Sequence, residues 1–500
     1  MWQAQFRSIG ANHRASSVPL ANADKATFGI SALKPSHFQN LVRVRIAYTL
    51  HGTHVRSSLA QQVRMVDPPR HPSMQTTDPA TDRAAERDHP PWPDDLWMSI
   101  ARSIDDRADR LTRLRHLLHA TPEPSGEERE TTRAIAEAVS EAGLHPQLLR
   151  DDVGLLVDLP LNPRANSFIA LRAELDCVRV NDDKQVPYAS TRPGLCHACG
   201  HDAHSAMVLG AGLALHEHLD SLQQLNAPHN LRLIFQPAEE SATGARSVIE
   251  QGAISGVAAI LALHVDPTLS TGRLGVRTGP ITASFKSFQV TVRGTSGHSA
   301  RPNEAVDPIP AAVAVIDQFY QLVPRTIDSR HPANLTVGSI HAGTTFNAIP
   351  DRATLTGTLR TTLADDTRIM QQKMQAIVAG VAESTGCDVS LDFGNWCPAT
   401  DNDPDLTDRL AATGRRVLGL DGVTWIDLPS MGGEDFAFYQ ELIPGVIARL
   451  GCVSPDDGPA GPTARPLHSS QFDIDERCLS IGSKVLGLAA LDLALRESPA

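Results

Sequence analysis

The sequence predicts an α/β protein: a large domain on a mostly parallel central sheet, with a small ferredoxin-like domain of β-α-β-β-α-β order inserted into it. Three observations predict this. Short segments that are apolar almost throughout, such as Leu231-Arg-Leu-Ile-Phe235 and Ala258-Ala-Ile-Leu-Ala-Leu263, alternate with helical stretches, as strands covered on both faces require. From Ser284 the pattern changes to apolar and polar residues in strict alternation, the mark of half-buried strands. A chain of 500 residues also exceeds what one core organises.

Residues 1–95 stand apart. Up to Val66 a run of basic residues, Arg7 to Arg64, is opposed by one acid, Asp24, and a Pro/Asp/Arg/Thr-rich linker follows. The stretch lacks the amphipathic period of a transit peptide and reads as a disordered extension, or as sequence translated from an early start codon. Folded sequence is expected from about Leu96. Ile100 to His119 carries a helical apolar pattern, and a second amphipathic helix, Glu127 to Ala142, stops at Gly143. Strands are expected over Gly154 to Leu159, Ser167 to Leu175, Leu231 to Gln236 and Ala258 to His264, with helices over Ala203 to Leu219 and Gly244 to Gln251. This first part of the large domain spans residues 96–283.

In the inserted segment, 284–395, a strand through Phe288, Val290 and Val292 precedes a helix opened by Asp307-Pro308 and running to Leu322. Strands Asn334 to Ile340 and Ala353 to Thr361, a helix Asp366 to Ser384 and a strand Asp388 to Phe393 complete it. Residues 396–500 return to helices and short strands and close the large domain.

Composition excludes several classes of function. The net charge of −12 argues against a nucleic-acid surface. No apolar run is long enough to span a membrane. Seven scattered cysteines point to a reducing compartment, hence a cytoplasmic protein, rather than a disulfide framework.

The chemistry concentrates in Cys196-His-Ala-Cys-Gly-His-Asp-Ala-His204, which holds two thiols and three imidazoles, ligands that transition metals favour. A structural zinc site needs a second Cys/His pair, and a redox Cys-x-x-Cys needs a thioredoxin-like context; neither is present. An open metal site with ligands from distant sequence is the remaining option. Strand ends supply candidates: Glu239-Glu240 beyond Gln236, His264, and Glu174-Leu-Asp176; His468 lies near the C-terminus. If Glu239 and Glu240 stand at a strand end they point in opposite directions, so one carboxylate can bind metal while the other addresses a water.

Seven motifs in order carry a resemblance: Leu-Arg-Ala-Glu-Leu-Asp, the Cys/His stretch, Phe-Gln-Pro-Ala-Glu-Glu, Gly-His-Ser-Ala-Arg-Pro, Phe-Asn-Ala-Ile-Pro-Asp, Gly-Gly-Glu-Asp-Phe and Pro-Leu-His-Ser. Over about Leu111 to Leu495 the chain resembles peptidase family M20, the aminoacylase/carboxypeptidase metallo-amidohydrolases. Within it the chain is most similar to N-acyl-amino-acid amidohydrolases, hippurate hydrolases and auxin-conjugate hydrolases. The resemblance implies that Cys199, His201, Glu240, His264 and His468 hold two divalent ions, with Cys199 as a bridging thiolate, and that Glu239 is the general acid/base. It implies that His298 stabilises the oxyanion, often across a dimer interface, that Asn347 and Arg360 contact the substrate's carbonyl or carboxylate, and that the inserted domain serves as lid and dimerisation domain. Cys196 and His197 are then packing and turn residues, and Asp202 and His204 start the helix or support the ligands. The chain departs from the pattern with Glu174 in place of Asp, with Cys177 and Arg179 behind the site, and with Ser241-Ala-Thr where glycines are common.

The expected activity is therefore metal-dependent hydrolysis of N-acyl amino acids by a homodimer. Manganese or zinc is favoured, with cobalt or nickel possible. A metallo-dipeptidase or carboxypeptidase is the alternative, and a non-catalytic metal-binding relative a third, against which all six ligand and base positions are retained.

Overall fold

The computed structural model describes residues 92–458 and 461–496. The N-terminal extension up to residue 91 lies outside the described residues. Elements below are numbered in chain order.

Where one helix was expected over Ile100 to His119, two form, Asp94–Asp105 and Ala108–Ala120. The break falls at Asp106-Arg107, where Arg107 has φ −97° and ψ 0° and its Nη1 donates to the Ser103 carbonyl at 2.6 Å. Both helices pack on the helix His201–Glu217. The next helix, Arg129–Glu141, ends as expected: Gly143 takes φ +86° and Leu144 N donates back to Val139 O.

Strands β1 (Pro146–Leu148), β2 (Leu155–Leu159), β3 (Phe168–Glu174), β4 (Asn230–Gln236), β5 (Val257–Ser270) and β6 (Leu274–Val276) enter the large sheet, followed later in the chain by two more strands. Short strand β7 (Gly279–Thr282) then leads into β8 (Phe285–Arg293), β9 (Gly297–His298), β10 (Ala333–Ala342), β11 (Ala348–Ile349), β12 (Arg352–Thr361), β13 (Asp388–Cys397) and β14 (Thr400–Asn402). The last two strands are β15 (Val423–Trp425) and β16 (Gly445–Val453).

The large sheet has eight strands in the order β1-β2-β4-β3-β5-β16-β6-β15. Its centre, β4-β3-β5-β16, is parallel, and β2 and β6 flank it antiparallel. Leu233, Phe235, Leu261 and Leu263 face one apolar cluster with the helices His201–Glu217 and Arg477–Ala494, while Ile234, Ile260 and Ala262 face a second with Val248 and Phe436. Burial on both faces is why these strands read as continuous apolar runs. In the helix His201–Glu217 every residue from His201 to Leu215 is buried.

One expected boundary is corrected. β5 does not stop at His264 but continues to Ser270, because β16 pairs with it over that whole length. β3 pairs with β5 only as far as Arg172–Ala262, so His264 emerges where its neighbour on that side has ended.

The inserted segment forms a four-stranded antiparallel sheet, β10-β12-β8-β13, with the helices Pro308–Thr326 and Ala364–Thr385 packed together. Asp307 caps the first helix by accepting the Ile309 N–H, and Pro308 occupies the first turn, as the sequence predicts. Among the described residues no helix is long and apolar enough to cross a membrane.

Candidate metal centre

The site forms where β3, β4 and β5 end, the usual position of functional groups in a parallel sheet. Gly200 is the pivot. It caps the helix His201–Glu217 with φ +86°, and a Cβ there would lie 2.4 Å from Val265 Cγ2. This left-handed turn, which glycine adopts without strain, places Cys199 before the helix and His201 in its first turn.

Cys199 Sγ lies 3.5 Å from His264 Nε2. His264 Nδ1 donates to the Val265 carbonyl at 2.7 Å, so Nε2 keeps its lone pair for the site. His201 is oriented the same way, with Nδ1 2.9 Å from Asp176 O and 3.1 Å from Asp176 Oδ1. Its buried Nε2 has no hydrogen-bond partner and lies 3.9 Å from Glu239 Oε2 and 4.0 Å from Glu240 Oε1. Glu240 Oε1, also buried without a hydrogen bond, is 3.4 Å from His468 Nε2. His468 reaches inward from a loop held by its own N–H to Ala198 O at 2.8 Å, with φ +63°.

Among the groups of donor atoms that lie within 4.8 Å of one another are Cys199/His201/His264, Cys199/Glu240/His468 and His201/Glu239/Glu240. Cys199 is common to the first two. A thiol, imidazoles with fixed tautomers, carboxylates and two orphaned polar atoms form a donor set that fits divalent transition metals. Burial pushes the Cys199 thiol up and the His264 imidazole down, and burial with Glu434, Asp435 and Glu240 nearby holds Glu239 well above the usual carboxylate range.

The Glu239-Glu240 geometry differs from expectation. The pair is not at a strand end: β4 stops at Gln236, and the pair sits in a loop where Ala238 and Ala242 take positive φ. The two carboxylates therefore converge on His201 rather than pointing apart. Glu240 N donates to Asp176 Oδ2 at 2.9 Å, tying this loop to the end of β3.

A buried layer beneath the site was not visible in the sequence. Arg172 binds Glu174, Gln236 Oε1 at 2.9 Å, Glu434 Oε1 at 3.1 Å and Asp435 Oδ1 at 2.6 Å. Asp435 Oδ2 accepts the Ala245 N–H in the first turn of the helix Gly244–Glu250, so the Gly-Gly-Glu-Asp turn holds the start of a helix far away in sequence. Glu174 Oε2 is 2.7 Å from His204 Nδ1, and His204 Nε2 accepts the N–H of Val265, next to His264. Asp202 binds Arg115 and His119. Cys196 exchanges backbone hydrogen bonds with Val178, and His197 is buried beside the His119 ring with neither of its ring nitrogens hydrogen-bonded. Arg179 is exposed and does not line the cleft.

Four of the candidate ligands, Cys199, Glu240, His264 and His468, line an open cleft of about 1070 Å³, walled also by Glu239, Phe285, Arg360 and Arg449, and the buried His201 lies behind them. Arg360 enters from β12, its Nη1 donating to Met431 O at 2.8 Å and its guanidinium lying over the Phe285 ring. His298 and Asn347, on or beside the paired strands β9 and β11, are exposed and do not line this cleft within the single chain.

The sequence profile of Peptidase family M20/M25/M40 matches residues 170–492. An N-acetylcysteine deacetylase of Bacillus subtilis is 34% identical, the match covering 75% of this chain and 94% of the relative. An IAA-amino acid hydrolase ILR1-like 4 of Arabidopsis thaliana is 32% identical over 76% of this chain and 85% of its own. A solved Bacillus subtilis structure, described as a dinuclear metal-binding peptidase from the M20 family, superposes with TM-score 0.66 at 29% identity, covering 78% of this chain and 99% of that one.

Proposed function

The chain belongs to Peptidase family M20/M25/M40, a family of metal-dependent amidohydrolases and peptidases, and from this premise we propose that it hydrolyses the amide bond of N-acyl amino acids. The observation that carries this reading is one carboxylate, Glu239, which among the described residues pairs with no Lys or Arg and lies 3.9 Å from the orphaned Nε2 of His201. The deacetylase and hydrolase activities named for the two relatives point to the same class of bond.

Cys199, His201, Glu240, His264 and His468 would hold two divalent ions, manganese or zinc in the first place and cobalt or nickel as substitutes. When bound, the ions supply Lewis acidity to the scissile carbonyl and to the attacking water. Glu239 takes the water's proton and returns it to the leaving nitrogen, the base and acid roles that one carboxylate beside the ligands can fill in turn. Arg360, a fork-shaped cation on the cleft wall, pairs with the substrate's carboxylate.

His298 and Asn347 lie outside their own cleft, so we assign them to the cleft of a second copy, His298 to the oxyanion and Asn347 to the carbonyl. The face that joins the copies is the exposed apolar stripe Ile309, Val313 and Tyr320 on the helix Pro308–Thr326. The described cysteines are all free and buried, which supports a reducing, cytoplasmic setting.

The test is a panel of N-acetyl and N-benzoyl amino acids and free dipeptides, assayed on metal-reconstituted protein with Glu239→Gln alongside. N-acyl substrates should be turned over, and the variant should lose about 10²- to 10⁴-fold in kcat with its metal content unchanged. Undiminished turnover by the variant would remove Glu239 from the mechanism. Preference for dipeptides would make the protein a peptidase.

A further inference from the structure

Three arginines lie in the strands of the large sheet: Arg172 on β3, Arg232 on β4 and Arg449 on β16. A guanidinium drawn out of water is costly unless an anion meets it. Arg172 meets Glu174, Glu434 and Asp435. Arg232 forks onto Asp158, with Nε–Oδ1 at 2.7 Å and Nη2–Oδ2 at 2.8 Å. Among the described residues the half-buried Arg449 side chain makes no hydrogen bond and no ion pair.

Its position gives the unpaired charge a direction. Arg449 stands in register with His264 on the adjacent parallel strand, so both side chains leave the same face of the sheet, and both line the cleft. Asp266, two residues past His264, is turned onto Thr268, its Oδ1 accepting the backbone N–H at 2.8 Å and the hydroxyl at 2.6 Å. Arg449 is thus a planar donor aimed into the candidate active site with its N–H groups unspent, the arrangement that takes a carboxylate bidentately. Arg360 reaches the same cleft from the other sheet, on β12.

We propose that Arg449 anchors a second carboxylate of the substrate, distinct from the one assigned to Arg360. The favoured substrates are then N-acyl amino acids with two anionic groups. This rests on the reading of the site as an N-acyl-amino-acid hydrolase. The second carboxylate belongs either to a dicarboxylic acyl group or to an acidic amino-acid side chain, and matched pairs separate the two sources.

Metal-reconstituted wild type, Arg449→Met and Arg360→Met are assayed on N-succinyl-leucine against N-butyryl-leucine, and on N-acetylglutamate against N-acetylglutamine. In one pair the wild type should favour the acid by about tenfold or more in kcat/KM, chiefly through KM. Arg449→Met should bring that ratio close to one, whereas Arg360→Met should lower both members and keep the ratio. A wild-type ratio near one in both pairs overturns the proposal, as does a ratio that survives in Arg449→Met. If none of the four is cleaved, the hydrolase reading fails, and calorimetry still decides on Arg449. Succinate or glutamate should bind about tenfold more weakly to Arg449→Met than to wild type, with butyrate and glutamine as controls; equal binding of both acids overturns the assignment.

Discussion

The residues that carry the site differ in how readily a sequence gives them away. Cys199, His201, Glu240, His264 and His468 were singled out by the ordered motifs that resemble the M20 family, since taken one at a time such histidines and carboxylates have ordinary structural uses. Arg172 was not, since it sits within Leu-Arg-Ala-Glu, and only three-dimensional proximity shows that it gathers Glu434 and Asp435 from the far end of the chain. Glu128 was equally hidden. It is buried, its Oε1 accepts the Ala238 N–H at 2.8 Å, and burial with Asp176 nearby lifts its carboxyl to about 7. A carboxyl whose folded-state value is raised contributes fully below its unfolded value, here 4.5, and that contribution fades as pH rises through about 7. Glu128→Gln keeps the acceptor and removes the titration. Between pH 4 and 8, the stability of metal-free protein in urea should shift in the variant's favour, by up to about 3 kcal/mol. A constant difference would contradict the assignment.

At the scale of elements, periodicity located the helices and strands, and contacts between distant segments set the boundaries that it missed. β5 outruns its apolar core because β16 lies alongside it, and the helix expected over Ile100 to His119 breaks at Arg107, whose side chain also reaches Glu217 on another helix. The loop after β4 escaped for a related reason: Ala238 and Ala242 adopt left-handed backbone that alanine rarely takes, and no pattern announces it. Gly200 is the opposite case, a glycine whose role is forced. Gly200→Ala should cost about 1–2 kcal/mol from the left-handed backbone alone. The clash with Val265 should also shift Cys199 relative to His201, so bound metal measured by elemental analysis should fall along with the melting temperature. A variant that melts lower yet binds metal normally would show that the pivot does not set the ligand geometry.

For the whole molecule, the α/β class and the ferredoxin-like order of the inserted strands were readable because local period changes type at Ser284. The dimer we propose was expected through the inserted domain on the family resemblance alone, because an exposed apolar stripe on a helix looks in sequence like any other amphipathic position. Val313 is 55% exposed, so Val313→Glu should leave the single chain folded. Sedimentation should show that it separates a dimer into monomers. Turnover should fall with it, because His298 and Asn347 do not line the cleft of their own chain. A wild type that sediments as a monomer and is fully active would exclude the shared site.

Four of the candidate ligands precede the inserted sheet, and the fifth, His468, follows it, fastened by its backbone N–H to the carbonyl of Ala198. During synthesis His468 is therefore the last candidate ligand to emerge, just after β16, the strand that lies beside β5 in the large sheet. A chain ending short of residue 468 would lack both that imidazole and the backbone tie to Ala198, so the full donor set can assemble only once the final stretch has been made.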